Sequence, residues 1–165
     1  DWIKSNTNIP VLNNGNNIYQ FVNLIDFCEA TIASSIIDYR GSLNIGSNSY
    51  DTIKNNLNKL IIKAGSNSKL INLDNSIMFK AAYYLQKLNL IPLQEYHFKA
   101  YGANIYFDGS RTKKILNWES KYSDYDSLED SYFNYLNNFK KNKKQSPHNQ
   151  SLKSIIIKYA PRFLI

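Results

Sequence analysis

The stretch YFDGSRTKKILNWESKY, residues 106–122, carries the local pattern that decides the fold. The β-prone segment Asn104–Phe107 leads into it and predicts a short strand. Asp108 follows at a turn, where its carboxylate can accept bonds from the free amides of a starting helix, so we interpret it as structural rather than catalytic. The apolar positions that mark this helix as short and amphipathic are Ile115, Leu116 and Trp118. The stretch therefore predicts a strand, a turn and a helix, with the indole of Trp118 packed in the core.

Upstream, a turn rich in glycine and asparagine at Asn13–Asn17 precedes the β-type segment Tyr19–Leu24, which predicts a second strand. The pattern then changes to helical spacing and ends near Gly41. The apolar positions of this predicted helix are Ile25, Cys28, Ile32 and Ile36. Asp26 falls at the turn from strand into helix, which favours a capping role over acid catalysis.

Leu43–Ile45 reads as a short apolar strand, and Lys69–Leu73 as another. Between them lies the strongest helical pattern of the chain, with Gly65 placed to end it. Its apolar positions are Ile53, Leu57, Leu60, Ile61 and Ala64.

Two further helices are predicted. The first is capped at Asn75 or Ser76 and ends before Pro92, and its apolar positions are Ile77, Ala81, Leu85 and Leu88. The second begins at Ser123 or Asp124 and keeps helical period to Phe139. Its stripe comprises Tyr125, Leu128, Tyr132, Tyr135, Leu136 and Phe139. Several helices with a few short strands predict a mixed α/β (α+β) fold.

The chain of 165 residues carries a net charge of +7, but the charge is unevenly distributed. Residues 1–139 are neutral, and all the excess lies in the tail 140–165, which has no acidic residue. We therefore divide the chain into a domain, 1–139, and a basic tail, 140–165. A basic tail could contact nucleic acid, but the neutral domain makes nucleic acid an unlikely main partner.

The single cysteine, Cys28, excludes an internal disulfide, and no spacing of cysteine and histidine suggests a metal site. The sequence contains neither a membrane-spanning run nor a signal-peptide pattern, so we expect a cytoplasmic protein. Because it begins at Asp1 without a methionine, we also expect a fragment.

Three stretches, in order, resemble the extended short-chain dehydrogenase/reductase superfamily, the NAD-dependent sugar epimerase/dehydratase family. Residues 15–30, GNNIYQFVNLIDFCEA, are similar to its glycine turn and Arg-Asp-Phe-Ile-His-Val-x-Asp segment, with Asp26 at the final aspartate. Residues 43–46, LNIG, are similar to its Tyr-Asn-Ile-Gly strand. Residues 106–122 resemble its Phe-Asp-x-Ser-Lys and Leu-Gly-Trp pattern, and the likeness spans about Ile9 to Phe139.

The resemblance implies the C-terminal, substrate-binding region of an NAD- or NADP-dependent epimerase, dehydratase or reductase. In this family the cofactor transfers hydride, assisted by a tyrosine and a lysine four residues later. Neither a glycine-rich dinucleotide motif nor that pair is present, because Tyr83 and Lys87 have the spacing in the wrong region. The implied fragment is inactive alone, binds no cofactor by itself, and lacks its N-terminal Rossmann half.

The implied substrate contacts are Tyr19, Gln20, Asn23, Tyr96 and His97. The first three lie on the segment that lines the family's substrate cleft, and residues 92–97, PLQEYH, resemble a segment of one epimerase-like branch. Tyr19 and the region of His97 stand where the family often has arginines that clamp a nucleotide diphosphate. Neither tyrosine nor histidine reproduces that bidentate grip, which makes a nucleotide sugar a less secure substrate.

Two functional hypotheses follow. The first is the substrate-binding region just described, acting on a small polar metabolite such as a nucleotide sugar. The second is a non-catalytic binding or regulatory domain on the same scaffold, or a module that contacts nucleic acid through its basic tail. A domain separated from its other half should also expose apolar surface and strand edges, so we expect homo-oligomers.

Overall fold

The computed structural model describes residues 1–74, 80, 83, 84, 87, 100 and 102–142. Of the helix predicted between Asn75 and Pro92, the described positions 80, 83, 84 and 87 are helical. The predicted contacts Tyr96 and His97, and the tail beyond residue 142, lie outside the described residues. The division at residue 139 falls within a helix and stays a prediction.

The described elements combine helices with one small parallel sheet. In chain order they are β1 (Ile9–Leu12), a 3-10 turn (Asn13–Gly15), α1 (Leu24–Ser35), α2 (Ile53–Lys63), β2 (Leu70–Leu73), α3 (Ser110–Leu116) and α4 (Asp124–Asn142). In the sheet Ile9 lies opposite Leu70, and Leu12 lies opposite Leu73. The predicted mixed α/β class is confirmed. None of the helices in this part of the chain is long and apolar enough to span a membrane.

The main apolar cluster lies where the sheet meets α2 and α4. Its buried members are Ile3, Ile9, Leu60 and Ile61. Partly buried side chains from several elements pack around them, namely Trp2, Leu57, Ala64, Leu70, Tyr125, Leu128 and Tyr132. Tyr125, Leu128 and Tyr132 of the stripe predicted on the last helix therefore pack against the domain.

Helix α2 matches its sequence pattern closely. Thr52 caps its start, with the side-chain oxygen accepting the amide of Asn55 at 3.2 Å. Gly65 follows its end in the left-handed conformation, at φ 61°, and Gly65 N donates to Ile62 O at 3.0 Å. The prediction that Gly65 terminates this helix is confirmed.

Helix α4 begins at Asp124, as predicted, through a capping box. Ser123 N donates to Asp126 Oδ2 at 2.8 Å, and Asp126 N donates back to Ser123 Oγ at 3.1 Å. Helix α3 starts at Ser110, directly after the turn at Asp108 as predicted, and ends before Trp118. It stops because Asn117 adopts the left-handed conformation, at φ 47°.

Three of the predicted strands were wrong. Leu43–Ile45 is irregular, and segments 19–24 and 104–107 share a single parallel bridge, from Tyr19 to Ile105. The pairing does not extend beyond this bridge, because side chains accept hydrogen bonds from the next backbone amides. Phe21 N donates to Asp124 Oδ1 at 2.9 Å, and Phe107 N donates to Gln20 Oε1 at 2.9 Å. Both segments are extended, as expected, but they do not form a sheet.

Asp26 joins α1 to the loop between α3 and α4. Its side chain is fully buried in the first turn of α1. Lys121 N lies 3.1 Å from both carboxylate oxygens, and Tyr122 N donates to Oδ2 at 3.1 Å. Asp26 is therefore a buried acceptor for a distant loop, rather than the cap of its own helix that the sequence indicated.

The predicted apolar stripe of α1 forms on one helix but is not buried. Leu24 is 74% exposed, Ile32 65% and Ile36 81%. Ile25, Phe27 and Cys28 are exposed as well, whereas the buried residues of the helix are Asp26 and Ala30. Together with Leu24 and Phe27, the predicted positions form a group of exposed apolar residues, here called the α1 face, comprising Leu24, Ile25, Phe27, Cys28, Ile32 and Ile36. A surface of this kind favours association.

We expect Ile32→Lys and Ile36→Lys to weaken self-association without lowering the melting temperature, since both side chains are largely exposed. Sedimentation velocity over a concentration series measures the association. Ile62→Lys is the matched control, because Ile62 is 79% exposed on α2, away from the α1 face. An unsubstituted chain that remains monomeric at every concentration would contradict this prediction.

Candidate functional site

Gln20 is a structural strut, a side chain that joins two walls of a surface cleft. Its Nε2 donates to Ser47 O at 2.7 Å, while its Oε1 accepts Phe107 N at 2.9 Å. One amide side chain therefore joins the loop after residue 43 to the segment that precedes α3. Gln20 borders the cleft, as a substrate contact should, but both ends of its amide are already engaged.

Gly46 is the position that allows Gln20 to lie there. A Cβ at residue 46 would lie 2.6 Å from the amide carbon of Gln20, which is closer than real side chains approach. The glycine of the LNIG stretch therefore provides space for the strut. The resemblance pointed to this stretch, but sequence reasoning did not connect its glycine with Gln20.

The structure separates the other predicted contacts. Asn23 is buried and caps α1, with Oδ1 accepting Ile25 N at 2.9 Å and Nδ2 donating to Asp130 Oδ2 at 3.3 Å. Tyr19 is half-buried, with its ring 5.6 Å from that of Phe21. Tyr19 and Asn23 do not line the cleft that Gln20 borders.

The cleft is an open depression of about 500 Å³, a volume typical of small-molecule sites. Three parts of the chain form it: Gln20, the loop 46–50, and residues 106–119 around the start of α3. Its lining residues are Gln20, Gly46, Ser47, Asn48, Tyr50, Tyr106, Phe107, Asp108, Gly109, Ser110, Lys113 and Glu119. We call it the tyrosine cleft, because the rings of Tyr50 and Tyr106 stack in it at 5.5 Å between centroids.

Buried polar contacts hold the loop that forms one wall. The hydroxyl of Ser47, almost fully buried, lies 2.9 Å from Tyr122 O. Asn48 N donates to Ser120 Oγ at 2.8 Å, and Thr112 Oγ1 donates to Asn44 O at 2.6 Å. These bonds connect the loop to α3 and to the segment after it. They therefore fix the position of this wall of the cleft.

The charged groups of the tyrosine cleft are largely paired. Asp108 Oδ1 accepts Ser110 N at 2.8 Å and Oδ2 accepts Ser110 Oγ at 2.9 Å, as expected of the capping residue. These bonds hold the pKa of the Asp108 carboxyl below its usual value, so it is ionised near neutral pH. Lys113 Nζ lies 2.7 Å from Glu119 Oε2 across the rim.

A second hollow, of about 710 Å³, lies where the start of α1 meets α4. It is lined by Val22, Asn23, Leu24, Ile25, Phe27, Ser127, Asp130, Ser131 and Asn134. It continues into the α1 face through Leu24, Ile25 and Phe27. Although larger, it has few polar groups left to orient a ligand, because Asn23 and Asp130 bond each other.

Asp124 holds the extended segment that carries Gln20. Its side chain is fully buried, Oδ1 accepts Phe21 N at 2.9 Å, and Oδ2 has no hydrogen-bond partner among the described residues. Burial, and to a smaller extent the charge of Asp51, raises the pKa of Asp124 to about 6, although the bond from Phe21 opposes the shift.

Sequence reasoning missed Tyr50, Tyr106, Asn48 and Glu119 as members of the cleft. The signal was weak: Tyr50 ends the polar run that follows LNIG, and Tyr106 opens the stretch 106–122. Within the described residues, no three His, Cys, Asp or Glu side chains come together to hold a metal ion.

The fold is similar to part of a larger solved structure. The similarity is to dTDP-glucose 4,6-dehydratase from Bacillus anthracis, solved in complex with NAD. The alignment covers 84% of this chain and 38% of that one, with a TM-score of 0.56 and 16% sequence identity. At this identity the likeness describes the fold alone.

A curated relative is also similar, over 132 residues at 34% identity. It is the uncharacterized protein y4nG of Sinorhizobium fredii, and the match covers 80% of this chain. The chain spans 33% of the length of that relative. No family model matches the sequence.

We expect Gln20→Ala to lower the free energy of unfolding by about 1–3 kcal/mol, because a backbone donor and a backbone acceptor both lose their partner. Urea denaturation measures the change. Asn48→Ala is the control, since it removes an amide from the same cleft whose side chain bonds nothing in the described residues. Equal stability of the two variants would show that Gln20 is not a strut.

The raised pKa of Asp124 predicts a pH dependence of defined sign. Because the folded state binds this proton more tightly than the unfolded state, the contribution of Asp124 to stability falls as the pH rises from about 4 to about 6. Asp124→Asn removes that fall, so the stability of the variant relative to the parent should increase over this window, by up to about 3 kcal/mol.

Denaturation curves at intervals between about pH 4 and about pH 7 measure the difference. Asp126→Asn is the control on the same helical turn, since the bonds from Ser123 lower the pKa of Asp126 and give the opposite sign. If the curves of Asp124→Asn and the parent run parallel, Asp124 is not shifted.

Proposed function

We propose that this chain is the substrate-binding region of an NAD- or NADP-dependent epimerase- or dehydratase-like enzyme acting on a small polar metabolite, such as a nucleotide sugar. The observation that carries the proposal is the position of the tyrosine cleft. It is built from the loop that begins at Gly46 of the LNIG stretch and from the stretch that resembles the family most, 106–122, joined by Gln20 of the remaining stretch. The neighbour's name, a sugar-nucleotide dehydratase with NAD, supports the same class of substrate and cofactor.

In this proposal the substrate lies in the tyrosine cleft. Tyr50 and Tyr106 present exposed rings and hydroxyls, and Gln20 holds the wall behind them. Tyr96 and His97 stay proposed contacts, from the segment that precedes Asn104. Tyr19 and Asn23 act on the site indirectly, since Tyr19 pairs with Ile105 and Asn23 begins α1.

The cofactor is proposed to bind a different part of a longer protein. The sequence has no glycine-rich turn of the kind that approaches a pyrophosphate, and the two-stranded sheet of the described residues offers no such cradle. The residues present do not fit NAD or NADP, so hydride transfer is assigned to no residue of this chain. The α1 face is the proposed contact with that other part, and with a second copy when it is missing.

Two binding measurements test this function. The purified chain should not bind NAD or NADP in isothermal titration calorimetry, whereas the product of the complete reading frame should bind one of them. That reading frame should also encode a glycine-rich dinucleotide motif and a tyrosine with a lysine four residues later. Micromolar binding of NAD to this chain alone, or a complete reading frame without both motifs, would refute the proposal.

A further inference from the structure

We propose that the tyrosine cleft receives an uncharged, hydroxyl-bearing ring against Tyr50 and Tyr106, so that it recognises a sugar and not a phosphate group. The inference rests on the proposed function and narrows it. Within a nucleotide sugar, the cleft would hold the sugar alone. A sugar without a nucleotide would satisfy the cleft equally well.

The stacked tyrosines provide the apolar surface that such a ring needs. Their rings are 5.5 Å apart and nearly parallel, at 25°, while the side chains stay 38% and 52% exposed. Phe107 adds a third exposed ring beside them. The negative face of an aromatic ring attracts the C–H groups of a flat ligand, and a flat apolar ligand face also buries the exposed area.

Hydrogen-bonding groups around the rings match hydroxyls. The hydroxyls of Tyr50 and Tyr106, and the side-chain amide of Asn48, make no hydrogen bond within the described residues and can donate to a ligand. Asp108 and Glu119 each keep acceptor capacity beyond their bonds to Ser110 and Lys113. Because a sugar hydroxyl both donates and accepts, one ligand class can use both sets of groups.

The charges argue against a phosphate. The described charged residues of the lining are two carboxylates and one lysine, and that lysine is already 2.7 Å from Glu119. A phosphate in the cleft would face Asp108, whose pKa is lowered and which is therefore ionised. Phosphate sites normally rely on arginines or several free donors. A neutral ligand meets no such repulsion.

Hydrogen bonds to backbone groups fix the shape of the cleft before a ligand binds. Gln20 joins its two walls, and Gly46 leaves room for that amide alone. Asp108 is fixed by both of its bonds to Ser110. A preformed site loses little conformational entropy on binding, which allows a small neutral ligand to bind measurably.

Saturation-transfer NMR on the full chain tests the inference, with methyl glucoside as a neutral ring and inorganic pyrophosphate as a charged competitor that has no ring. We expect methyl glucoside to bind, and its affinity to stay unchanged between about 50 mM and about 500 mM salt, since no charge is recognised. Pyrophosphate should not compete. Absence of methyl glucoside binding, or its displacement from the cleft by pyrophosphate, would overturn the inference.

Substitutions locate the site. Tyr106→Ala should weaken methyl glucoside binding about tenfold, and Tyr106→Phe should weaken it less, because it keeps the ring and loses the hydroxyl. Tyr83→Ala is the matched control, since Tyr83 is an exposed tyrosine of another ring pair, 5.5 Å from Tyr84, outside the cleft. Equal binding by Tyr106→Ala and Tyr83→Ala overturns the assignment to this cleft.

The inference and the proposed function can fail separately. If methyl glucoside binds through Tyr106 and the complete reading frame binds no NAD or NADP, the cleft is a sugar site on a non-catalytic scaffold. If the complete protein binds the cofactor and the cleft ignores the glucoside, the enzyme proposal stands and the ligand assignment falls.

Discussion

The buried carboxylate of Asp26 is the constraint on which the arrangement around the cleft depends. It is removed from water at the start of α1, and the amides of Lys121 and Tyr122 stabilise it there. Those amides belong to the loop between α3 and α4, and Tyr122 O in turn accepts the hydroxyl of Ser47. One buried side chain thus connects α1, both later helices and the loop that lines the cleft. The ion pair of Lys121 with Glu29, on the exposed side of α1, adds little by comparison.

Buried polar side chains are common throughout the described part of the chain, and their hydrogen bonds act as polar anchors between distant segments. Among its residues, eight hydrophobic side chains are buried and nine polar or charged ones are. Where a sheet could have formed between segments 19–24 and 104–107, Gln20 and Asp124 bind the backbone amides instead. A polar anchor fixes one geometry, because its donor and acceptor must meet, whereas apolar contacts tolerate sliding. The cleft is therefore well defined although the apolar core beside it is small.

The α1 face and the tyrosine cleft are two surfaces that differ in polarity. The α1 face has large apolar side chains and no polar anchors, as expected of a contact that another protein surface covers. The cleft has aromatic rings surrounded by hydrogen-bonding groups, as expected of a small-molecule site. The chain spans about a third of the length of its curated relative.

Local patterns determined the helices of this protein. The apolar spacing and the terminating Gly65 were sufficient for α2, the capping Ser123 for α4, and the β-prone run for β2. Each depends on residues a few positions apart, which a sequence displays directly. The resemblance of three stretches also indicated the fold, and its prediction of Gln20 and Asn23 as ligand contacts stays a prediction.

Only the tertiary structure decided how these elements use their side chains. β1 was not predicted, because its partner β2 lies some sixty residues later. The stack of Tyr50 on Tyr106, the strut of Gln20 and the buried roles of Asp26 and Asp124 all join residues far apart in the chain. The sequence did not show that the α1 face is exposed, because the spacing of apolar residues along a helix is the same whether or not a partner covers them. The spacing of apolar residues shows which of them share a face of a helix. Only the tertiary structure shows what that face packs against.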